Sequence, residues 1–461
     1  MKRPLAVINL VGLTPELLRH APRLSSLAAS RRVTPLVPVY PAVTCSVQSS
    51  MLTGQPVRGH GVVGNGWFDR GLREVHFWKQ SNHLVQHAKV WETAKRTNPE
   101  FTCANLFWWF NMATAADLSV TPRPIYKANG RKLPDIYTQP LSLRDRLQRE
   151  LGTFPLFRFW GPAADVSSSQ WIADAARIVA DEHHPTLLLV YLPHLDYPLQ
   201  RLGPDHADVP SEVRAIDAVA SDLINHLDSL GYDTGIVSEY GIEPTTGVIT
   251  PNRALREQGY LQVRAEDGHD MLDVFASRAF AVVDHQIAHV YINSSADLNV
   301  VASILSDLPG VDQVLDHSAQ RDLQIDHPRT GDLVLVPKPG YWFAYDFWLD
   351  DGRAPDYART VDIHRKPGYD PRELFMDPEL RFPRLHVARR LLARRLGFRN
   401  LLDVIPLDNQ LVRGTHGRSH LPTGKGPLLI APEETPVDDL IDHGGIPATA
   451  IYDLILRATS S

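Results

Sequence analysis

Cysteine is scarce in this chain, which has 461 residues but only Cys45 and Cys103. Two cysteines are too few for a disulfide framework or for a cysteine-rich zinc module. Long apolar runs are also missing, and none reaches the roughly 18 residues that a membrane helix requires. The opening segment MKRPLAVINLVGL is only briefly apolar and has no small-residue cleavage site, so no secretory signal is predicted. We therefore expect a globular, cytoplasmic protein without a membrane partner.

An excess of positive charge is missing as well. The formal net charge is -6, and no basic block or stripe dominates the sequence. Duplex nucleic acid is therefore not an expected partner. A negatively charged chain can still bind a small phosphate ester, because a local metal ion or arginine reverses the field at a site. Nothing in the sequence indicates the oligomeric state.

Short apolar runs separated by helical patterns occur along the chain. The runs LAVINLVGL (5–13), PTLLLVYL (185–192) and DTGIVSEYG (233–241) are typical of buried parallel strands. Apolar residues recur at helical spacing over 168–184 and 210–231. Strands that alternate with helices predict an α/β fold with a doubly wound, mostly parallel central sheet flanked by helices. In such sheets the chemistry lies beyond the carboxyl ends of the strands.

We expect a single domain, 1–461, in which two segments differ from the rest in composition. They span 100–165 and 338–405, are rich in aromatic residues and proline, and show no clear helix or strand pattern. Both are long for simple connections. We expect the first to be a cap insertion and the second a lid insertion, with an inert, packed surface segment as the alternative.

The strongest local pattern is YPAVTCSVQSSMLTGQPVRGHGVVGN, residues 40–65. Pro41 favours an extended approach, and the following residues predict a helix that ends at Gly54. Thr44 would lie at or just before the N-terminus of this helix, where free backbone N–H groups and the helix dipole favour an anion. A hydroxyl there is well placed to attack phosphorus, and a simple helix cap is the alternative role of Thr44.

This segment resembles the nucleophile region of the nucleotide pyrophosphatases/phosphodiesterases, a branch of the alkaline-phosphatase superfamily, and is also similar to that of phosphonoacetate hydrolase. The residues in register are Pro41, Thr44, Leu52-Thr53-Gly54, His60-Gly61 and Asn65. The resemblance implies that Thr44 is the nucleophile and that Asn65 helps to hold a phosphate oxygen.

Cys45 lies beside Thr44 and is a rival nucleophile. A thiolate is intrinsically more reactive than a hydroxyl, and a helix N-terminus lowers the pKa of a thiol. The family register falls on Thr44, however, and the alternative role of Cys45 is that of a small buried apolar residue.

Three later segments resemble the family in the expected order. Asp196 in PHLDYPLQRLGPD matches a metal-binding Asp, and His416 in RGTHGRSH matches a metal-binding His. Glu239 in the strand end IVSEYGI stands where the family has an Asp. The resemblance therefore implies metal ligands at Asp196, Glu239 and His416.

Three positions depart from the family pattern. Val11, Gln200 and Tyr240 stand where the family has one Asp and two His ligands. Valine cannot bind a metal ion, glutamine offers only a neutral oxygen, and tyrosine is a poor zinc ligand. The resemblance implies a divalent cation, which could be zinc, manganese or iron, and leaves open whether one or two ions bind. His285 and His289 in DHQIAHVYI are a weaker source of further ligands.

The segment TVDIHRKPGYDP (360–371) offers replacement ligands. Asp362 and His364 are two residues apart, so on an extended strand both side chains point to one face. We predict that they complete the metal site. Arg365 and Lys366 follow, and we predict that they bind the phosphate of the substrate. A polar surface loop with a salt bridge is the alternative.

These patterns together predict a metal-dependent hydrolase of small phosphoric esters, a phosphodiesterase or pyrophosphatase that acts through a threonine nucleophile. Phosphonate hydrolysis or phosphotransfer on the same fold is one alternative, because a fold does not determine a substrate. A degenerate, non-catalytic binding protein is the other alternative, and the residues at Val11, Gln200 and Tyr240 motivate it.

Overall fold

The apolar runs of the sequence form the centre of one large sheet. Leu5–Leu10 is buried along its whole length and pairs in parallel with Leu187–Leu192 on one side and Asp233–Val237 on the other. The predicted mostly parallel central sheet is therefore confirmed, with each strand shorter than its apolar run. The residues that follow these strands meet at one edge of the sheet.

The computed structural model describes residues 3–128, 131–398 and 400–459. The central sheet has nine strands within these ranges. In their order across the sheet they are Ile446–Pro447, Val33–Val37, Leu428–Ile430, Asp233–Val237, Leu5–Leu10, Leu187–Leu192, Cys103–Leu106, Leu118–Pro122 and Ile136–Gln139. The termini of the expected domain, and residues 129, 130 and 399 of the two expected insertions, lie outside the described residues.

Helices pack against this sheet in two groups. The first group contains Pro22–Ala29, Ser142–Leu151, Leu156–Phe159, Ser167–His183 and Val209–Ser229. The second group contains Thr44–Thr53, Val90–Thr97 and Ala450–Thr459. The two helices predicted from apolar spacing are therefore present, with their ends shifted by one or two residues. Among the described helices, none combines the length and the apolar character that crossing a membrane would need.

A second, antiparallel sheet was not predicted from the sequence. It has four strands and its own apolar cluster. Its strands are Ala279–Asp284, Ile287–Ile292, Leu333–Pro337 and Val311–Leu315, and the helices Pro251–Glu257 and Leu298–Ser306 pack on it. The turn after Asp284 carries this sheet to the edge of the central one.

Shorter elements complete the fold. The remaining helices are Pro15–Leu18, Val57–His60, Asp196–Leu202, His317–Asp322 and Pro383–Arg395, with single 3-10 turns at Asn82–Leu84, Ser295–Asp297, Asp351–Arg353, Pro371–Leu374, Asn409–Leu411 and Asp438–Leu440. The remaining strands pair two by two: Gly66–Asp69 with Glu74–Phe77, Ile125–Tyr126 with Lys132–Leu133, Glu243–Pro244 with Gly414–Thr415, Gly247–Ile249 with Tyr341–Phe343, and Val263–Glu266 with His269–Leu272.

The segment 100–165 has more regular structure than its composition indicates. It supplies three strands to the central sheet, Cys103–Leu106, Leu118–Pro122 and Ile136–Gln139. These strands are only four or five residues long, so they leave no extended alternating pattern in the sequence. The expectation that this segment lacks helices and strands is therefore wrong, whereas its role as a cap stays a prediction.

Candidate active site

Thr44 is the first residue of the helix Thr44–Thr53, all of which is buried. The preceding strand Val33–Val37 and the central strand Asp233–Val237 both pair antiparallel with Leu428–Ile430, so they run in the same direction. The N-terminus of the Thr44 helix therefore lies at the carboxyl edge of the central sheet, as predicted. Free backbone N–H groups at the N-terminus of a helix favour an anion.

The Thr44 hydroxyl begins a short chain of hydrogen bonds. It lies 3.1 Å from the Tyr240 hydroxyl, which donates to Asp196 Oδ1 at 3.2 Å. Because Tyr240 has one hydroxyl hydrogen and gives it to Asp196, Thr44 is the donor in the first bond. Burial raises the pKa of Asp196 to about 7, and hydrogen bonds from Gln200 and Tyr240 oppose this rise. The arrangement connects the predicted nucleophile with a carboxyl group that can accept a proton.

Asn65 is held in place by Asp284, which the sequence did not indicate for this role. The backbone N–H of Asn65 donates to Asp284 Oδ2 at 2.7 Å, and the side-chain amide donates to Oδ1 at 3.1 Å. Asn65 Oδ1 accepts from the backbone N–H of Cys45 at 3.0 Å. The side chain is thus fixed against the first turn of the Thr44 helix. Burial raises the pKa of Asp284 to about 7, opposed by these bonds from Asn65.

Glu239 lies two residues beyond the strand Asp233–Val237. Its Oε1 accepts from Asn9 Nδ2 at 2.6 Å and from Gln48 Nε2 at 2.5 Å, whereas Oε2 is buried without a hydrogen-bond partner among the described residues. Burial raises the pKa of Glu239 to about 8, and the hydrogen bonds oppose the rise. The sequence analysis missed Asn9 and Gln48. A polar Asn9 inside an apolar strand is the signal that could have revealed one of them.

His416 lies between two other rings. Its ring stacks on that of Tyr240, with ring centroids 3.5 Å apart. The centroid of the His285 ring lies 3.7 Å from that of His416. Nδ1 lies 2.9 Å from the carbonyl oxygen of Ala42, which can only accept, so Nδ1 carries the hydrogen. Burial lowers the pKa of His416 to about 3, so the ring is neutral. Its Nε2 lone pair points toward the site, 3.8 Å from Asp196 Oδ1.

Gln200 occupies a position where the resemblance places a histidine. Its Oε1 accepts a hydrogen bond from the Tyr369 hydroxyl at 3.0 Å. The Tyr369 ring in turn stacks on His285, with centroids 3.7 Å apart. Both side chains come from segments far apart in sequence. The partner of the Gln200 oxygen is therefore a neutral hydrogen-bond donor, the Tyr369 hydroxyl.

The predicted ligands do not, as they are placed, fit a metal ion. The described residues contain no group of three or more His, Cys, Asp or Glu side chains arranged to hold one. Asp196 and His416 provide two donors 3.8 Å apart, whereas catalytic zinc usually keeps three protein ligands. Val11 is fully buried among apolar residues and supplies none. Metal binding by this chain stays a prediction, and the geometry gives it no assigned site.

The segment 360–371 is not the extended strand that the ligand prediction assumed. The backbone N–H of Arg365 donates to the carbonyl of Asp362 at 3.2 Å, so the chain turns between them. His364 Nδ1 lies 3.1 Å from the carbonyl oxygen of Phe77. Because alternation of side chains requires an extended backbone, the predicted pairing of Asp362 with His364 on one strand face is wrong.

Lys366 does not face the substrate region. Its Nζ lies 2.8 Å from Asp370 Oδ2 and 2.7 Å from Glu373 Oε1, and all three side chains are buried. The prediction that Lys366 binds substrate phosphate is therefore not supported, because two carboxylates already pair with its charge. Arg365 is half exposed, pairs with Asp356 at 3.2 Å, and lines the cavity described next.

The Thr44 helix opens into a cavity of about 1920 Å³. Thr44, Asp196, Tyr240 and His285 form its floor, and residues from segments 122–163 and 360–404 form its walls. Asp362, His364 and Arg365 line the same cavity. The two predicted insertions thus supply walls of the space above Thr44, and their roles as a cap and a lid stay predictions.

Three comparisons place the chain among known proteins. Residues 5–370 match the family described as type I phosphodiesterase / nucleotide pyrophosphatase. An uncharacterized pyrophosphatase/phosphodiesterase of Schizosaccharomyces pombe is 25% identical over 253 residues, which are 52% of this chain and 45% of that protein. The region that the two proteins share is therefore less than half the length of that relative.

Two solved structures have the same fold. Phosphonoacetate hydrolase from Sinorhizobium meliloti 1021, in complex with phosphonoformate, matches with a TM-score of 0.62 and 15% identity, over 100% of this chain and 96% of its own. Murine ectonucleotide pyrophosphatase / phosphodiesterase 5, in complex with AMP, matches with a TM-score of 0.59 and 13% identity, over 99% and 95%. The family match covers far more than half of the sequence. The chain belongs to the type I phosphodiesterase / nucleotide pyrophosphatase family.

Proposed function

We propose that this protein hydrolyses a phosphoric diester or a pyrophosphate and that Thr44 is the nucleophile. Its family is one of phosphoric-ester hydrolases. The observation that carries the proposal is the position of Thr44, at the N-terminus of a buried helix, on the floor of a large cavity, and hydrogen-bonded toward a carboxyl group. A hydroxyl next to a proton acceptor and above free N–H groups suits attack on phosphorus.

The chain of hydrogen bonds supports a path for the proton. As Thr44 Oγ1 forms a bond to phosphorus, the bond from phosphorus to the leaving oxygen breaks. The Thr44 proton passes to the Tyr240 hydroxyl while the proton of Tyr240 passes to Asp196. The leaving oxygen takes a proton from solvent. Water then attacks phosphorus and gives up a proton to solvent, the bond from phosphorus to Thr44 Oγ1 breaks, and the proton held on Asp196 returns through Tyr240 to Thr44. General acid–base assistance of this kind contributes roughly 10²–10⁴ in rate.

Asn65 and the first turn of the Thr44 helix are proposed to hold an oxygen of the phosphoryl group. The Asn65 amide has two hydrogens, and Asp284 accepts one of them. The contact with Asp284 fixes the amide before substrate binds, which is what makes such a donor effective. No step is assigned to a divalent cation, because the ligands as placed do not fit one.

Cys45 is a poor rival for the role of nucleophile. It is fully buried in an apolar cluster with Tyr40 and Val57, and it is absent from the residues that line the cavity. Burial, with a smaller contribution from the charges of Asp284 and Glu239, raises the pKa of its thiol well above the ordinary value. A neutral, enclosed thiol is unreactive, so Cys45 offers a control directly beside Thr44.

The test compares Thr44→Ala with Cys45→Ala on bis(4-nitrophenyl) phosphate, with phosphonoacetate as a second substrate. We expect Thr44→Ala to abolish turnover of the diester, while Cys45→Ala keeps most of it and both variants unfold at temperatures close to that of the wild type. Thr44→Ser should retain part of the activity because it keeps the hydroxyl. Full activity in Thr44→Ala would overturn the proposal, and turnover of phosphonoacetate alone would favour the phosphonate alternative.

A binding protein without turnover is the second candidate. Tyr240 favours this candidate. Its hydroxyl is hydrogen-bonded to the Thr44 hydroxyl, and its ring covers one face of His416. Binding of a phosphate ester without hydrolysis, in metal-replete and metal-free buffer alike, would decide for this candidate.

A further inference from the structure

The cavity above Thr44 is larger than a compact phosphate ester requires. Its volume is about 1920 Å³, whereas sites for drug-sized ligands usually occupy roughly 300–1,000 Å³. The phosphorus would lie at the floor beside Thr44 and Asp196. Most of the space therefore lies beyond the reacting atoms, where it can accept one of the groups esterified to phosphorus.

The walls of this space are largely apolar. The apolar residues that line it include Ile136, Leu156 and Phe159 from one segment and Val361, Val387 and Val404 from a later one. The charged groups of the wall are already paired in part, since Asp135 accepts hydrogen bonds from Arg144 at 2.8 and 2.9 Å. A wall of this kind stabilises an apolar ligand in proportion to the area it removes from water, although basic side chains, Arg123 and Lys132 among them, also line it.

The helix Pro383–Arg395 closes part of the same wall. Val387 and Leu391 line the cavity, and their spacing of four residues places them on one face of the helix. The neighbouring face is held by Asp403, which lies 3.0 Å from His386 Nε2 and 2.6 Å from Arg390. Within the described residues, this helix contributes to none of the buried apolar clusters. Its Leu391 is 51% exposed, so an apolar ligand in the cavity would cover it.

We propose that the cavity takes a phosphoric ester that carries a long apolar chain, with the phosphorus at Thr44 and the chain against the apolar wall and Leu391. The proposal rests on the proposed function for the position of the phosphorus. It deepens that function by naming the substrate class, an amphiphilic phosphoric ester. The sequence predicts no membrane partner because it has no apolar run long enough to span a membrane. That prediction concerns the protein and not the source of the ester.

The first experiment measures turnover of a homologous series, the methyl, hexyl and decyl 4-nitrophenyl phosphates, which share one leaving group. Each buried methylene should raise kcat/KM about threefold to fourfold, so the decyl ester should exceed the methyl ester by at least about a hundredfold. The decyl ester is offered both as a monomer and in phosphatidylcholine vesicles, and a preference for it in either form supports the proposal. Equal kcat/KM across the series in both forms overturns it.

A matched pair of variants on one helix assigns the effect to the cavity. Leu391→Glu places a charge on the wall, whereas Leu385→Glu places the same charge on a residue of the same helix that is 67% exposed and does not line the cavity. We expect Leu391→Glu to lower kcat/KM for the decyl ester about tenfold or more and to leave the methyl ester within about twofold. Leu385→Glu should change neither. Equal losses in the two variants, or equal losses for the two esters, contradict the proposal.

Equilibrium binding separates this proposal from the proposed function. Titration calorimetry of methyl, hexyl and decyl phosphate into the wild type and into Thr44→Ala reports chain recognition without turnover. Affinity that rises with chain length and falls in Leu391→Glu supports the apolar substrate class even if no diester is hydrolysed. Affinity that is independent of chain length overturns it, even if Thr44 proves to be the nucleophile.

Discussion

The Tyr240 hydroxyl lies between two groups that the proposed reaction uses, 3.1 Å from Thr44 Oγ1 and 3.2 Å from Asp196 Oδ1. The family pattern has a histidine at this position, so the tyrosine changes what surrounds the nucleophile. A phenol cannot replace an imidazole as an ordinary zinc ligand. It can accept a proton from one neighbour while giving its own to the other.

Removal of this hydroxyl should therefore slow the chemical step. In Tyr240→Phe the ring that stacks on His416 is kept, but Thr44 loses its acceptor and Asp196 loses its donor. We expect kcat on bis(4-nitrophenyl) phosphate to fall about a hundredfold, with KM changed much less. Tyr345→Phe removes a buried hydroxyl that does not line the cavity and should leave kcat unchanged. A rise in kcat for Tyr240→Phe would show instead that the hydroxyl competes with substrate for Thr44.

Metal content provides a second prediction. Asp362 and His364 were expected to supply ligands, but the chain turns at Asp362 and His364 Nδ1 contacts the Phe77 carbonyl. The double variant Asp362→Ala, His364→Ala should therefore bind the same amount of zinc, manganese or iron per chain as the wild type. Elemental analysis of both proteins, purified in metal-replete buffer, checks this. Loss of a stoichiometric metal in the double variant alone would restore these residues as ligands.

Those parts of the site that depend on one short stretch of the sequence could be predicted from it. The Thr44 helix follows from a local pattern, and Gly54 ends it with a φ of 66°, a left-handed conformation that favours glycine. The central strands follow from apolar runs, because burial on both faces demands continuous apolar residues. Thr44, Tyr240 and Asp196 meet because strands that run in parallel bring their carboxyl ends to one edge.

The partners of these residues could not be predicted, because tertiary packing determines them. Asp284 binds Asn65 from a different sheet, and Asn9 and Gln48 reach Glu239 from a strand and a helix. No spacing in the sequence connects residues so far apart. The pairing of Asp362 with His364 on one strand face was wrong for a related reason, since alternation was assumed for a segment whose backbone forms a turn.

Adjacent cations at Arg365 and Lys366 should differ sharply in their effect on stability. Lys366 is buried between Asp370 and Glu373. Asp370 also pairs with Arg372 at 2.7 Å, so Lys366→Ala leaves the buried Glu373 without a cation and should lower the free energy of unfolding by about 3–5 kcal/mol. The side chain of Arg365 is 49% exposed beside Asp356, and Arg365→Ala should cost about 1 kcal/mol or less. Urea denaturation of both variants measures the difference. Similar losses would show that Lys366 is not essential to the buried charge balance.

The last prediction concerns His60 of the family-like segment, which the structure assigns to the fold and not to the chemistry. Its Nδ1 accepts from the backbone N–H of Val62 at 3.1 Å, and its Nε2 lies 2.9 Å from Ser50 Oγ. Because Nδ1 is an acceptor, the neutral ring carries its hydrogen on Nε2 and donates to Ser50. Both bonds hold the end of the Thr44 helix against the following turn, and both depend on a neutral ring.

Burial, with smaller effects of His327, Arg329 and His87, lowers the pKa of His60 from 6.5 to about 3. The unfolded chain therefore binds a proton at this residue below about pH 6.5 while the folded protein does not, so the stability that the neutral ring contributes is complete above about pH 6.5 and is lost as the pH falls from there toward about 3. Between about pH 7.5 and about pH 5 the wild type should lose about 2 kcal/mol more than His60→Gln, whose side chain does not titrate. If the free energies of unfolding of the wild type and His60→Gln change in parallel with pH, His60 is protonated in the folded protein as readily as in the unfolded chain. That result would contradict a neutral His60 ring that donates to Ser50.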